Sequence, residues 1–303
     1  MLDFHRIRLT DQEAYQTILA HSPNRGCEYA FANLYLWGKQ NIFFSEDCAA
    51  LFSHFHGQSV YPYPIGSGNH RALVEAIIQD AADRGIPCRF TSLLESDIQD
   101  LEQWFPGYFH FMPSRNSFDY VYDINDLADL KGRKFQKKRN HVNRFHAEHS
   151  GCTVEPLSPD NLDRAMEMVE SWYTLRIAAN PHEDYLLEKA AMEKMFRHYE
   201  GLGMEGILLE EGGKVLAVTV ASRLSEDTFD VHFEKAFETV EGAYAAVNCE
   251  MARFLRLRHP EVRFLNREDD IGLEGLRKAK LDYHPHHMVE KYRAFVVEDF
   301  YED

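Results

Sequence analysis

The chain has 303 residues, 45% of them apolar and 13% aromatic, and a formal net charge of -16. That length predicts two domains rather than a single core, folded around an ordinary globular apolar content. No run approaches the roughly 18 apolar residues that cross a bilayer, and five widely spaced cysteines without C-x-x-C exclude a disulfide framework and a cysteine zinc site.

The opening MLDFHRIRLTDQEAYQ has no apolar stretch after its charges, so no secretory signal is expected and the protein reads as cytoplasmic. Residues 11–22 have helical spacing, and 41–66 read as strands broken by turns, with Pro62 and Pro64 at the exit. Residues 69–85 carry helix signals, with Asn69 as cap and Gly85 as stop. PCRFTSL is a strand, ESDIQDLEQWF a helix ending at Pro106, and residues 108–124 hold one or two strands.

Residues 131–145, KGRKFQKKRNHVNRF, carry seven Lys or Arg and no acid. Residues 131–147 contribute +7, so the rest of the chain carries -16 - 7 = -23. Such a surface repels nucleic acid and anionic lipid almost everywhere, so any polyanion must be met locally. Read as a helix, the segment places Phe135, Val142 and Phe145 on one face and Lys134, Lys137, Lys138, His141 and Arg144 over the other. It serves as an anion clamp, or simply as a solvated face against acidic neighbours.

Helices follow at 158–176 and 184–203, then an antiparallel meander over 205–237 with a hairpin turn at Glu211-Gly212-Gly213. A helix at 242–259, a buried strand at 262–266, another helix and a C-terminal hairpin complete the chain. That order is the order of a GNAT-type acyltransferase domain, and the first half reads as a degenerate copy that has lost its polar site. The expected class is α/β (α+β), with two tandem GNAT-like domains, each a mixed, mostly antiparallel sheet flanked by helices. The expected boundaries are 1–118 and 119–303, with the active site in the second domain.

Strand alternation predicts Asp230, His232 and Glu234 on one face and Phe229, Val231 and Phe233 on the other. Three ionisable groups together are costly to bury unpaired, so they are expected to line a cleft and handle an acceptor's proton, or to hold its amine. Gly242 opens the next helix where phosphate is commonly met, but Glu238 and Glu241 beside it oppose a pyrophosphate. Asn266 to Asp270 stand at a strand end, where α/β sites are built; Asp269 or Asp270 serves equally as a helix cap. Lys280 and Tyr283 stand where a phosphate or leaving group is met. The histidines of HPHH (284–287) and HFH (54–56) have no partner at ligand spacing, so no metal site is read.

The blocks at 126–145, 232–237, 241–252 and 266–285 together resemble a bacterial family similar to the C-terminal catalytic domain of phosphatidylglycerol lysyltransferases. The resemblance runs from end to end and implies a tandem GNAT fold shared with Fem-type transferases that take amino acids from aminoacyl-tRNA. Lys137, Lys138, Arg139 and Asn140, the block Glu268, Asp269 and Asp270, and Lys280 match its signature positions. In the lysyltransferases a lysine resembling Lys280 falls in the active site. Those enzymes also carry a multi-span membrane domain, which has no counterpart in this sequence.

The resulting expectation is a soluble acyl- or aminoacyl-transferase acting by direct attack. Asp230, His232 or Glu234, with Glu268 and Asp269, form the catalytic set, and Tyr283 protonates the leaving group. Lys137, Lys138, Arg139, Asn140, Gly242 and Lys280 bind the donor, an acyl-coenzyme A or an aminoacyl-tRNA. No permanent cofactor, no DNA and no integral membrane segment are expected. The alternative is a non-catalytic module that binds a nucleotide, a small anion or a partner protein.

Overall fold

The computed structural model describes residues 1–55, 57–180 and 185–297, so His56 of HFH and the first residue of the helix read at 184–203 lie outside the described residues. The chain divides into two units: Met1–Asp119 with Asp269–Leu273 and Met288–Asp303, and Tyr120–Glu268 with Glu274–His287. The sequence reading drew one boundary, near residue 118. In the structure the chain also returns twice to the first unit.

In unit 1, strands Gln40–Ser45, Cys48–Phe55 and Gln58–Pro62 form an antiparallel meander. The helix His70–Arg84 then leads to Arg89–Leu93, which pairs with Gln58–Pro62 in parallel. This helix starts and stops as read. The Asn69 side chain accepts the Ala72 N–H at 3.0 Å, and Gly85 leaves the helix at φ 65°, where a side chain would be strained. Its apolar face, Leu73, Val74 and Ile77, packs with Tyr61, Phe90 and Leu93 in the unit's core. Tyr292–Val296 inserts between Arg89–Leu93 and Phe109–Pro113 in this sheet. The C-terminal hairpin is therefore corrected: His287–Val289 and Tyr292–Val296 belong to different sheets. A two-residue link, Glu290-Lys291, without a turn signal lets long-range pairing win over hairpin closure.

Unit 2 repeats the scheme. Strands Met204–Glu211, Lys214–Arg223 and Thr228–Ala236 form the meander, and helix Ala243–Arg258 leads to Phe264–Asn266, parallel to Thr228–Ala236. Asp119–Asp123 pairs on its far side and Thr153–Pro156 closes the other edge. Both units are thus mixed, mostly antiparallel sheets flanked by helices. The basic segment does form a helix, Gln136–Glu148. Phe135 and Val142 pack with Leu130, Ala245 and Cys249, fastening it to helix Ala243–Arg258, whose small residues permit a close approach.

Candidate active site

The strand Thr228–Ala236 carries the polar residues picked out by alternation, and one irregularity re-aims them. Ala221 pairs with Val231 and Val220 with Phe233, so His232 is the extra residue of a β-bulge. Asp230 and His232 stay together, with Asp230 Oδ2 3.4 Å from His232 Nδ1, and Glu268 Oε1 lies 3.5 Å from the same nitrogen. Ser222, paired with Asp230 across the strands, places Oγ 2.7 Å from Nε2. The side chains of Asp230 and His232 are fully enclosed, whereas that of Glu268 is 26% exposed. Glu268 is therefore the face that this group turns to the cleft. It sits at φ 57°, and its N–H donates to Asn266 Oδ1 at 2.8 Å. Such a backbone costs of order 1–3 kcal/mol and persists where the surroundings hold it.

Glu234, beyond the bulge, has a different task. It accepts from Arg267 Nη2 at 3.0 Å and from Asn248 Nδ2 at 3.2 Å. The Arg267 side chain is 15% exposed, its guanidinium 5.0 Å from the Tyr283 ring and 5.6 Å from that of Tyr122. Burial works against its charge, but Glu234 and the two tyrosines outweigh it and hold the charge on. Its Nη1 meets no hydrogen-bond partner among the described residues. Lys138 stands 4.0 Å over the other ring contact of this group, Tyr283, and burial lowers its pKa. Lys280 donates to the Arg267 carbonyl. Burial raises the Tyr283 phenol, partly opposed by Arg267, so it stays protonated at neutral pH.

These groups line one cleft of about 640 Å³ with Gly242 to Ala245, the first turn of helix Ala243–Arg258. Gly242 has φ 80°, and a Cβ there would come 2.6 Å from the His141 carbonyl, so this glycine serves the packing of the basic helix. The glutamates beside it are neutralised: Arg176 holds Glu238 at 2.6 Å and Arg144 holds Glu241 at 2.5 Å. Lys235 reaches the cleft as well, bonded to Glu188 at 2.7 Å and 4.2 Å from the Trp172 ring.

Of the residues picked out from sequence, His232, Glu234, Glu268, Tyr283, Lys138, Gly242 and Lys280 line this cleft, with Asp230 behind His232. Lys137, Arg139 and Asn140 do not. Lys137 and Asn140 are exposed, and Arg139 donates to the carbonyls of Leu130 and Gly132. Asp269 and Asp270 belong to unit 1. They accept from Ile271 and Gly272, so neither caps the helix Glu274–Leu281. Most of the basic run is bound locally: Lys131 by Asp129 and Lys134 by Asp126, both at 2.8 Å, and Arg144 by Glu148 and Glu241. Arg267, Lys235 and Glu188 were not assigned roles from sequence, although Arg267 lies in the polar strand end. Ser222 and Asn248 gave no signal, since strand register and helix rotation bring them in. Asp230, His232 and Glu268 also offer three potential metal-ligand atoms within 4.8 Å of one another.

The family model of the phosphatidylglycerol lysyltransferase C-terminal region matches residues 19–295. The chain belongs to that family. A conserved protein of unknown function from Bacteroides thetaiotaomicron is 32% identical, with a TM-score of 0.92 over 98% of this chain and 100% of its own. L-PGS from Bacillus licheniformis shares the fold at 15% identity and a TM-score of 0.68, covering 94% of this chain and 92% of its own. FemX does so at 10% identity and 0.64, over 99% of both chains. An uncharacterized protein of Mycoplasmoides gallisepticum is 24% identical over 186 residues, 60% of this chain, and the match spans only 57% of that relative's length. The family is named for an acyl-transfer enzyme, a lysyltransferase. No helix among the described residues is long and apolar enough to cross a membrane.

Proposed function

We propose that unit 2 transfers an activated aminoacyl group from an ester donor to an amine or hydroxyl acceptor by direct attack. The observation that carries this is the Arg267 guanidinium, whose enclosed Nη1 is unmet by any described residue, in the same cleft as the Glu268–His232–Asp230 group. A buried donor without an acceptor costs about 1–3 kcal/mol, which a donor phosphate or carboxylate would relieve. Lys138 and Lys280 add positive charge in the same place.

The acceptor nitrogen or oxygen attacks the acyl carbonyl carbon, a C–N or C–O bond forms, and the ester C–O bond to the donor breaks. Glu268 takes the acceptor's proton, with the buried His232 and Asp230 holding it in position. Tyr283, kept protonated by burial, gives a proton to the departing oxygen and is refilled from Glu268. The net change is one proton moved from acceptor to leaving hydroxyl. Aminoacyl-tRNA is favoured over coenzyme A because the turn into helix Ala243–Arg258 carries a single glycine, Gly242, instead of the glycine-rich loop that cradles a pyrophosphate.

Thermal unfolding of the full chain, followed by tryptophan fluorescence, separates the donors. Aminoacyl-tRNA at about 100 times its dissociation constant should add about 2.7 kcal/mol of stability, and coenzyme A or acetyl-coenzyme A should add none. A shift with coenzyme A alone would overturn the aminoacyl assignment. No shift with either would overturn the transfer site.

A further inference from the structure

Unit 1 was expected to have lost its polar site, yet it holds a polar cleft of about 550 Å³. The position of that cleft repeats the one in unit 2. In each unit the last meander strand runs parallel to the strand after the connecting helix, and the cleft opens over that pair. Gln58, Val60 and Pro62 come from the meander strand, Thr91 and Ser92 from its parallel neighbour. Ser92, within the parallel strand, has φ 63°, and Glu268, two residues past the corresponding strand of unit 2, has φ 57°, so each unit carries a strained non-glycine residue where its cleft opens.

At the base of this cleft is a buried ion network. Lys291 Nζ lies 2.7 Å from Asp119 Oδ1 and 2.5 Å from Glu28 Oε2, and the Cys27 thiol donates to Asp119 at 3.2 Å. One lysine against two carboxylates leaves a charge of -1. Asp269 adds a second negative charge to the lining, while Lys39 and Arg293 add two positive ones. The cleft is therefore neutral as a whole but displays both signs. Between them stand neutral hydrogen-bonding groups, among them Gln40, Ser53, Gln58 and Ser114. Gln40 Oε1 is enclosed and has no hydrogen-bond partner among the described residues. None of the described lining side chains is aromatic, which removes the stacking surface that holds a base.

We infer that this cleft is a second binding site, for a small zwitterion: an ammonium and a carboxylate joined by a short polar span, as in a free amino acid or short peptide. The ammonium sits against Glu28 and Asp269, the carboxylate against Lys39 and Arg293, and the span against the hydroxyls and amides. A ligand of one sign would bring a like charge beside part of this lining, so the site discriminates against it.

Calorimetric titration of the full chain with glycine, glycylglycine, acetate and methylamine tests the assignment. At least one zwitterion should bind, with acetate and methylamine weaker by roughly tenfold or more. Arg293→Ala and Glu28→Gln should each weaken the zwitterion about tenfold. Arg293 is exposed, so its variant keeps the test open if Glu28→Gln fails to fold. Binding of glycine identifies a free amino acid as the ligand class, and binding of glycylglycine alone a peptide. No heat from either zwitterion, acetate binding as tightly, or full affinity in Arg293→Ala would overturn the inference.

Discussion

Glu268, His232 and Asp230 share a single imidazole nitrogen, and enclosure rather than chemistry separates their tasks. Arg267 shows the same logic with charge. Removing it leaves the largely enclosed Glu234, 13% exposed, without its cation, so Arg267→Ala should lose about 1–3 kcal/mol in urea unfolding. Arg267→Lys keeps the charge but not the planar fork, so it should fold and bind donor about tenfold more weakly. Lys138 and Lys137 are neighbours in sequence with different surroundings. Lys138→Ala should weaken donor binding about tenfold, whereas Lys137→Ala should change it less than about twofold. An equal effect of the two would return the donor to the outer face of the basic helix.

Helix Ala243–Arg258 is held against the basic helix through a glycine with φ 80° and no room for a Cβ. Gly242→Ala should therefore cost about 1–3 kcal/mol, read as a lower urea midpoint at unchanged slope. Elements with local signals were legible in the sequence. Asn69 and Gly85 frame their helix within its own residues, and two glycines at 212 and 213 turn the hairpin at φ 60° and 84°. The polar lining of the cleft near 230–234 and 266–283 was legible too, because ionisable residues stood where a sheet is otherwise apolar. What was not legible depends on a partner strand. The bulge at His232 is set by Val220 and Ala221, and it sends Glu234 to Arg267 instead of to the proton-handling group. The C-terminal strand likewise finds its sheet through Arg89–Leu93 and Phe109–Pro113, far off in the chain. The basic run misled because Asp126, Asp129 and Glu148, close by in the sequence, take up most of its ion pairs, and only Glu241 comes from far along the chain.

Against a net charge of -16, four of the chain's 33 Lys and Arg line the unit 2 cleft: Lys138, Lys235, Arg267 and Lys280. If Arg267, Lys138 and Lys280 make the phosphate contacts, donor affinity should fall with salt at a log–log slope of about -2, at roughly 0.7 per phosphate. A slope beyond about -5 would require the outer surface to take part. Stability carries its own pH dependence. Burial pushes the Asp97 carboxyl from its ordinary 3.8 up to about 6. Between about pH 4 and 6 the unfolded chain releases a proton that the folded chain keeps, so stability falls as pH rises through that window. Asp97→Asn retains an acceptor for the Leu94 N–H, now held at 2.7 Å, and should flatten this slope in melting curves while raising stability at neutral pH. In the proposed reaction Glu268 takes the acceptor's proton. Single-turnover loss of labelled amino acid from charged tRNA, with hydroxylamine as acceptor, should slow by about 10²–10⁴-fold in Glu268→Gln while donor affinity holds. An unchanged rate in that variant would contradict the assignment of the unit 2 cleft as the place where the acyl group moves.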